Sequence, residues 1–194
     1  SRGYSDIQSQ KAIDKLVKAA TNLSTGLYEA NKEVYHLLRY GVTVREELGQ
    51  PKETVWLIDW KDVECNQFAV AEEVTVQGKH RKRPDIVVYV NGIALGVLEL
   101  KSSKTNVEEG IHQNLDNQKE EFIPKFFTAM QLVMAGNDTQ GIRYGTIETR
   151  EKYFVTWKEE SDKAFDYILD KHISLLCEKS RLLELVHDFV VFDK

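Results

Sequence analysis

The sequence predicts an α/β fold: a central mixed β-sheet of about five or six strands with helices packed on both faces. Three observations carry this. Apolar residues recur at helical spacing near both ends of the chain, and the middle holds short apolar runs punctuated by turn residues. The two central runs, Ile86 to Val90 and Ile93 to Leu98, flank Asn91-Gly92 and are apolar on both faces. That is the pattern of a tight hairpin in the middle of a sheet covered on both sides.

Taken in order, Ile13, Leu16, Val17 and Ala20 predict a first helix over 7–20 with this stripe in the core. A polar break follows, in which Ser24 or Thr25 can cap a second helix whose buried side is Leu27, Val34, Leu37 and Leu38 and which ends near Tyr40-Gly41. Residues 55–60 and 68–76 read as strands that enter the sheet before the central hairpin. After it, Asn106 with Glu109 three residues on forms a capping-box pattern opening a helix to about residue 121. Val107, Ile111, Leu115 and Phe122 of that helix can face the sheet, while Gln113 lies on a second face with Glu109 and Asn117 above and below it. Phe126, Phe127 and Met130 belong to a short link, and 130–135 and 142–147 read as two further strands around the turn-rich GNDTQG. Tyr153, Phe154 and Trp157 are expected to fill core, and residues from 161 onward are helical, ending in the apolar HDFVVFDK, expected to dock or to continue.

Composition bounds the function. The chain has 194 residues, 42% hydrophobic and 29% charged, enough for one well-buried domain. No apolar run approaches the ~20 residues of a membrane span, and the opening residues carry no signal-peptide core, which predicts a soluble intracellular protein. The start lacks methionine, so Ser1 to Gly3 are left out of the fold reading. Cys65 and Cys177 are far apart, and neither has a partner at metal-ligand spacing; His36, His80, His112, His172 and His187 are scattered likewise, so no disulfide framework or zinc site is expected. A net charge of −5 argues against a protein that coats DNA by bulk charge, so any DNA contact must be local.

Charge is scarce around the hairpin, which makes Asp85, Glu99 and Lys101 informative. Glu99 and Lys101 project from one face of their strand while Leu100 points to the other. A strict Asn-Gly turn would set Asp85 opposite Leu98 and leave Glu99 on the wrong face, so an odd-length loop or a bulge near Gly92 or Gly96 is required to bring Asp85 level with Glu99. With that irregularity, two carboxylates and an ammonium converge at the end of a buried hairpin. Two hard oxygen donors with room for water and phosphate describe a Mg²⁺ site, and an adjacent lysine suits hydrolysis rather than mere binding. A lone Glu-x-Lys is most often a structural ion pair; Pro84-Asp85 at the start of the partner strand reverses that reading. Immediately before it, Lys79, His80, Arg81, Lys82 and Arg83 form the one dense basic run, placed to hold a DNA backbone rather than only to solvate a loop. Glu33 is an additional acid on the second helix, read as a solvated face first and a site residue second.

Pro84-Asp85 followed on the next strand by Glu99-Leu100-Lys101 resembles the PD-(D/E)xK nuclease signature, in a setting similar to the amino-terminal nuclease domain of type I restriction endonuclease R (HsdR) subunits. LYEANKEVYHLLRYGV (27–42), VWLIDW (55–60), FAVAEEVTV (68–76), RPDIVVYVNGIALGVLELK (83–101) and QLVMAGNDTQGIRYGTIET (131–149) resemble that family in the same order. The resemblance implies a PD-(D/E)xK restriction-endonuclease-like core and metal-dependent hydrolysis of DNA. Asp85 and Glu99, aided by the backbone carbonyl of Leu100, would hold Mg²⁺, for which Mn²⁺ can substitute. Lys101 would position water or stabilise the phosphorane, Gln113 would support the site, and Lys79, Arg81, Lys82 and Arg83 would contact DNA. Family members carry a tyrosine four residues after that glutamine; Asn117 departs from this, which leaves the role of 117 open.

Type I R subunits fuse such a domain to an ATP-driven translocase and act with methylation and specificity subunits, so the resemblance implies those partners, DNA, and a prokaryotic cytoplasm. No GxxxxGK[ST] occurs, so ATP would act only through a motor region absent from these residues. On this reading, 1–160 is the nuclease domain and 161–194 a helical extension leading toward that motor. The alternatives are a stand-alone nuclease or resolvase of the same fold, and a non-catalytic module that docks DNA or a partner.

Overall fold

The computed structural model describes residues 3–47 and 49–192. Ser1 and Arg2 of the opening segment, Leu48, and the closing Asp193 and Lys194 lie outside the described residues. The first helix, α1 (Asp6–Thr21), starts at a capping box in which Ser5 and Gln8 satisfy each other's backbone N–H groups. Its buried face is Gln8, Ala12 and Ala19, while Ile13 and Val17 are 47% and 53% exposed. The predicted core stripe is therefore corrected by about a third of a turn. Alanines permit α1 to sit close on α2 (Leu27–Tyr40) and on a two-stranded sheet of β1 (Val42–Val44) and β2 (Glu53–Val55), where Ala12 packs with Val42, Val44 and Val55.

This small sheet replaces the strand expected over 55–60. Beyond Val55 the chain turns, because Asn66 and Asp59 offer the backbone better partners than a ladder. Asn66 Oδ1 accepts from Asp59 N (2.8 Å), and Asp59 Oδ1 accepts from the N–H groups of Lys61 and Asp62 (3.1 and 3.0 Å). The second helix is capped by Gly26, at φ 96°, and not by Ser24 or Thr25.

The main sheet has six strands in the order β3–β4–β5–β6–β7–β8. These are β3 (Phe68–Glu72), β4 (Ile86–Val90), β5 (Ile93–Leu100), β6 (Leu132–Asn137), β7 (Gly141–Gly145) and β8 (Val155–Thr156). All neighbours are antiparallel except β5 and β6, which run parallel. The sheet is thus mixed, and the parallel pair needs a crossover, supplied by α3 (Val107–Asn117) and the short α4 (Pro124–Phe127). Helix α3 ends four residues before the expected boundary. Every residue of β6 is buried, as befits a strand covered on both faces.

One face carries Val87, Val97, Val133 and Ala135 against Ile111 of α3 and Phe127. The other carries Val88, Leu98, Met134 and Ile142 against α5 (Ile168–Leu176), α6 (Lys179–Glu184) and a π-helical turn (Leu185–Phe189). The α/β class with helices on both faces is the one the sequence predicted. Phe154 and Trp157 are buried as expected, whereas Tyr153 is exposed. The closing segment docks on α2: Tyr35 Oη donates to Val190 O (3.0 Å), and the Phe192 ring lies 5.2 Å from that of Tyr35.

His172, buried on α5, accepts a hydrogen bond from Ile142 N through Nδ1 (3.0 Å), and burial holds its pKa below the usual imidazole value. Its stabilising contribution is therefore complete above the unfolded value of ~6.5 and is lost as pH falls through the lower folded value. Denaturation at pH 7.5 and pH 5 should show wild type losing about 1 kcal/mol more than His172→Gln, which keeps a neutral acceptor. Equal losses would rule this out.

Candidate active site at the end of the β4–β5 hairpin

The turn residues Asn91 and Gly92 both have positive φ, 51° and 78°, the combination of a type I′ hairpin. Pairing begins in strict register, Val90 with Ile93 and Tyr89 with Ala94. It then slips, so that Val88 faces Gly96, Val87 faces Val97 and Ile86 faces Leu98. Leu95 is the extra residue of a bulge, and the irregularity required next to Gly96 is present. Continued by one step, the shifted register sets Asp85 opposite Glu99. Asp85 is tied to both neighbouring strands, since Leu100 N of β5 donates to Asp85 Oδ2 (2.8 Å) and Glu73 N, just past β3, donates to Asp85 O (2.7 Å).

Glu99 is fully buried. Its Oε2 accepts from Gln113 Nε2 (2.7 Å), and Gln113 Oε1 accepts from Lys101 Nζ (2.6 Å). Gln113 therefore bridges the acid and the base of the strand, a closer role than its position on a polar helix face disclosed. Glu99 Oε1 is buried and receives no hydrogen bond from a donor group, while the carboxyl as a whole lies close enough to that of Asp85 for the two to share a proton. Burial first, and then the neighbouring Asp85 carboxylate, push the Glu99 pKa up to about 8, against the smaller opposing pull of Lys101 and Lys82. An orphaned carboxylate oxygen beside a second carboxylate fits a divalent cation. Among the described residues no three His, Cys, Asp or Glu side chains converge as a metal-binding group, so the remaining donors would be backbone oxygen, water or phosphate, as Mg²⁺ accepts. Leu100 N points toward Asp85, and the carbonyl of the same extended residue points to the same side. A cleft of about 440 Å³ lined by Glu72, Glu73, Asp85, Ile86 and Leu100 opens there.

Gly110 belongs to no motif in the sequence, yet it sets how near α3 lies to the sheet. A Cβ at this position would stand 2.9 Å from Ala135 Cβ, 3.5 Å from Lys101 Cγ and 3.6 Å from Glu99 Cβ. A glycine inside a helix costs about 1 kcal/mol relative to alanine, and that cost was the one signal of a close approach. Gly110→Val is expected to destabilise the fold by about 1–3 kcal/mol in urea denaturation, because α3 must lift from β5 and β6. Unchanged stability would mean that the helix has room to spare. Asn114 adds a tether, donating from Nδ2 to Met134 O (2.9 Å). Asn117, 1% exposed, is buried one turn beyond Gln113 with Oδ1 unpartnered, and Glu33 is exposed on α2.

The basic run forms a loop closed by a bridge between Val76 and Lys82. Lys79 pairs with Glu120 (2.6 Å), Arg83 with Glu73 (2.6 Å), and Lys82 Nζ lies 4.0 Å from the centre of the Phe122 ring. Lys79, Glu120, Arg83, Glu73 and Arg81 are largely exposed, whereas Lys82 and Phe122 are half-buried. A larger depression, about 680 Å³ and lined by Tyr40, Trp56, Trp60 and His187 among others, is elsewhere. Asn91 Nδ2 donates to Leu57 O in that region (2.9 Å), which places it by the hairpin turn, at the other end of β5 from Glu99. No helix among the described residues is long and apolar enough to cross a membrane.

Comparison with known proteins gives the family of the chain. The family model described as the type I restriction enzyme R protein N terminus matches residues 3–152. The type I restriction enzyme HindI endonuclease subunit of Haemophilus influenzae is 29% identical over 199 residues, which cover 95% of this chain and 19% of that protein. The type I restriction enzyme EcoprrI endonuclease subunit of Escherichia coli is 26% identical over 147 residues, 73% of this chain and 47% of that protein. The chain spans about a fifth of the length of several curated relatives it matches (18%, 20% and 19%).

Proposed function

The chain belongs to the type I restriction enzyme R protein N-terminus family, and on that premise we propose that it is the nuclease module of such an R subunit, hydrolysing DNA phosphodiester bonds with the help of a divalent metal. The observation that carries this is the fully buried Glu99 carboxyl set against that of Asp85, with Oε1 receiving no donor: two carboxylates so placed cannot both ionise at low cost unless a cation joins them. Asp85 and Glu99 would hold Mg²⁺, or Mn²⁺ in its place, with the Leu100 carbonyl as a further donor. When bound, the ion supplies charge neutralisation and Lewis acidity at the phosphoryl group.

The chain's own residues do the rest. Gln113 fixes Lys101 and Glu99 relative to each other through bonds of 2.6 and 2.7 Å. Lys101, so held, orients the attacking water and stabilises negative charge growing on the phosphoryl oxygens. The water oxygen bonds to phosphorus, one ester P–O bond breaks, and the leaving oxygen takes up a proton. Lys79, Arg81, Lys82 and Arg83 would hold the DNA backbone, with Lys79 and Arg83 exchanging exposed acidic partners for phosphates. Residues 1–160 would form the nuclease domain and 161–194 lead toward an ATP-driven motor region. Methylation and specificity subunits would choose the DNA site, and the prokaryotic cytoplasm is the compartment this implies.

Nicking of supercoiled plasmid in Mn²⁺ tests the reading. Asp85→Ala and Lys101→Ala are each expected to slow nicking by about 10³-fold. Wild type that stays silent even with the motor and methylation subunits restored would leave a docking module as the better description.

A further inference from the structure

We propose that the β6–β7 turn, through Asn137 and Gln140, is a positioning element that sets the placement of Gln113 and hence the geometry of the Asp85–Glu99–Lys101 centre. The inference rests on the nuclease reading for its consequence in catalysis, though not for its structural content. An α-helix begins with N–H groups that have no partner within the helix. In α3 the N–H of the first helical residue, Val107, donates to Gln140 Oε1 (2.9 Å), a side chain from another element. Gln140 Nε2 in turn donates to Asn106 Oδ1 (3.1 Å), the capping side chain of the helix.

Asn137, 1% exposed at the end of β6, holds Gln140 in place: Asn137 Nδ2 donates to Gln140 Oε1 (2.8 Å), and Gln140 N donates to Asn137 Oδ1 (2.7 Å). The same Nδ2 also donates to Thr105 O (2.8 Å), in the loop between Lys101 and the helix. From β7, Arg143 pairs with Glu108 in the first turn of α3 (3.6 Å). The β6–β7 hairpin thus grips the beginning of α3 from outside, while Gly110 and Asn114 rest on β6.

The geometry makes this a lever. Gln113 lies six residues beyond Val107, about 9 Å along the helix axis at 1.5 Å per residue. With the close contact at Gly110 between them, a small rotation of the first turn moves the Gln113 amide. Both of its bonds are short, and a displacement of about 1 Å is enough to break them and to cost as much as 100-fold in rate.

Gln140 is exposed, so a merely structural reading expects Gln140→Ala to be nearly silent. The decisive readout is the side-chain amide of Gln113 in ¹⁵N–¹H spectra, assigned by its loss in Gln113→Ala. In Gln140→Ala this resonance pair should shift toward free glutamine and exchange faster with water, and single-turnover cleavage should slow about tenfold with DNA affinity in Ca²⁺ unchanged within about twofold. Tyr35→Phe, which loses the bond to Val190 far from the site, serves as control: it should lower the melting temperature and leave the Gln113 amide and the cleavage rate alone. If Gln140→Ala does not fold, Gln140→Asn, one methylene shorter, carries the same expectation. A Gln113 amide unmoved in the folded variant overturns the proposal, whatever the activity. A wild type that cuts no DNA even with the motor and methylation subunits restored overturns instead the nuclease reading, and the spectra still decide the positioning.

Discussion

Glu99→Gln is expected to abolish cleavage and, in the same protein, to raise the melting temperature of the metal-free form at pH 8. The two effects have one cause. Burial and the Asp85 carboxylate raise the Glu99 pKa to about 8, against about 4.3 for an unfolded glutamate. Between those values the folded state holds a proton that the unfolded state has released. Stability is therefore complete below pH ~4.3 and falls as pH rises toward the folded value, with the full loss reached near pH 8. An amide at this position carries no charge to desolvate, keeps an oxygen for Gln113 Nε2, and turns an N–H toward Asp85. Allowing for relaxation of the coupled carboxylates, the gain at pH 8 should be about 2–4 kcal/mol, shrinking toward zero at pH 4.5. Cleavage should fall by about 10³-fold or more, because the neutral amide cannot replace an anionic donor. Melting curves of both proteins in chelator from pH 4.5 to 8.5 check the first half. A variant no more stable than wild type at pH 8 would show that the carboxylate is not strained when the site holds no cation.

This opposition between stability and function explains what was legible in the sequence. The hairpin, its turn and its three charged residues could be read because each breaks a local rule: positive φ demands Asn-Gly, and charge does not belong in a doubly covered strand. The bulge followed from parity alone. Asp85 and Glu99 share a face only if one residue is skipped, and Leu95 is that residue. The identity of the skipped residue was not legible, since Ala94, Leu95 and Gly96 have no feature that distinguishes them on both faces of a buried strand.

The errors have physical reasons too. Residues 56–60 look like a strand by hydrophobicity, but the fold is decided there by Asn66 and Asp59, whose side chains capture backbone groups of a turn. In α1, large apolar side chains suggested the buried face, whereas a closely packed helix–helix contact selected Ala12 and Ala19 and left Ile13 and Val17 exposed. Gln113 was readable as polar on a second helix face, but not as the bridge between Glu99 and Lys101. That bridge depends on how near α3 lies to the sheet, which Gly110, Asn114 and the β6–β7 turn decide through contacts between residues distant in sequence.

The affinity of the site for Mn²⁺ is expected to rise about 100-fold between pH 6 and pH 8 and then to level off. Below its pKa of about 8, Glu99 is protonated in the metal-free protein, so each cation that binds must displace a proton. One displaced proton makes the apparent affinity change about tenfold per pH unit. Above pH 8 Glu99 is already ionised, and the dependence ends. Two substitutions separate the causes. Glu99→Gln removes the titrating group, so its residual weak binding should be nearly flat over this range. Asp85→Asn removes the second cause of the raised pKa but not the first, burial, so a slope should persist with its break moved below pH 8. Calorimetry in buffers of different ionisation enthalpy counts the proton directly: about one released per Mn²⁺ at pH 6.5, close to none at pH 8.5. Affinity that is constant from pH 6 to 8 would mean that Glu99 is ionised before the cation arrives, and a carboxylate already ionised at pH 6 leaves the metal-free site without the strain that Glu99→Gln is expected to relieve.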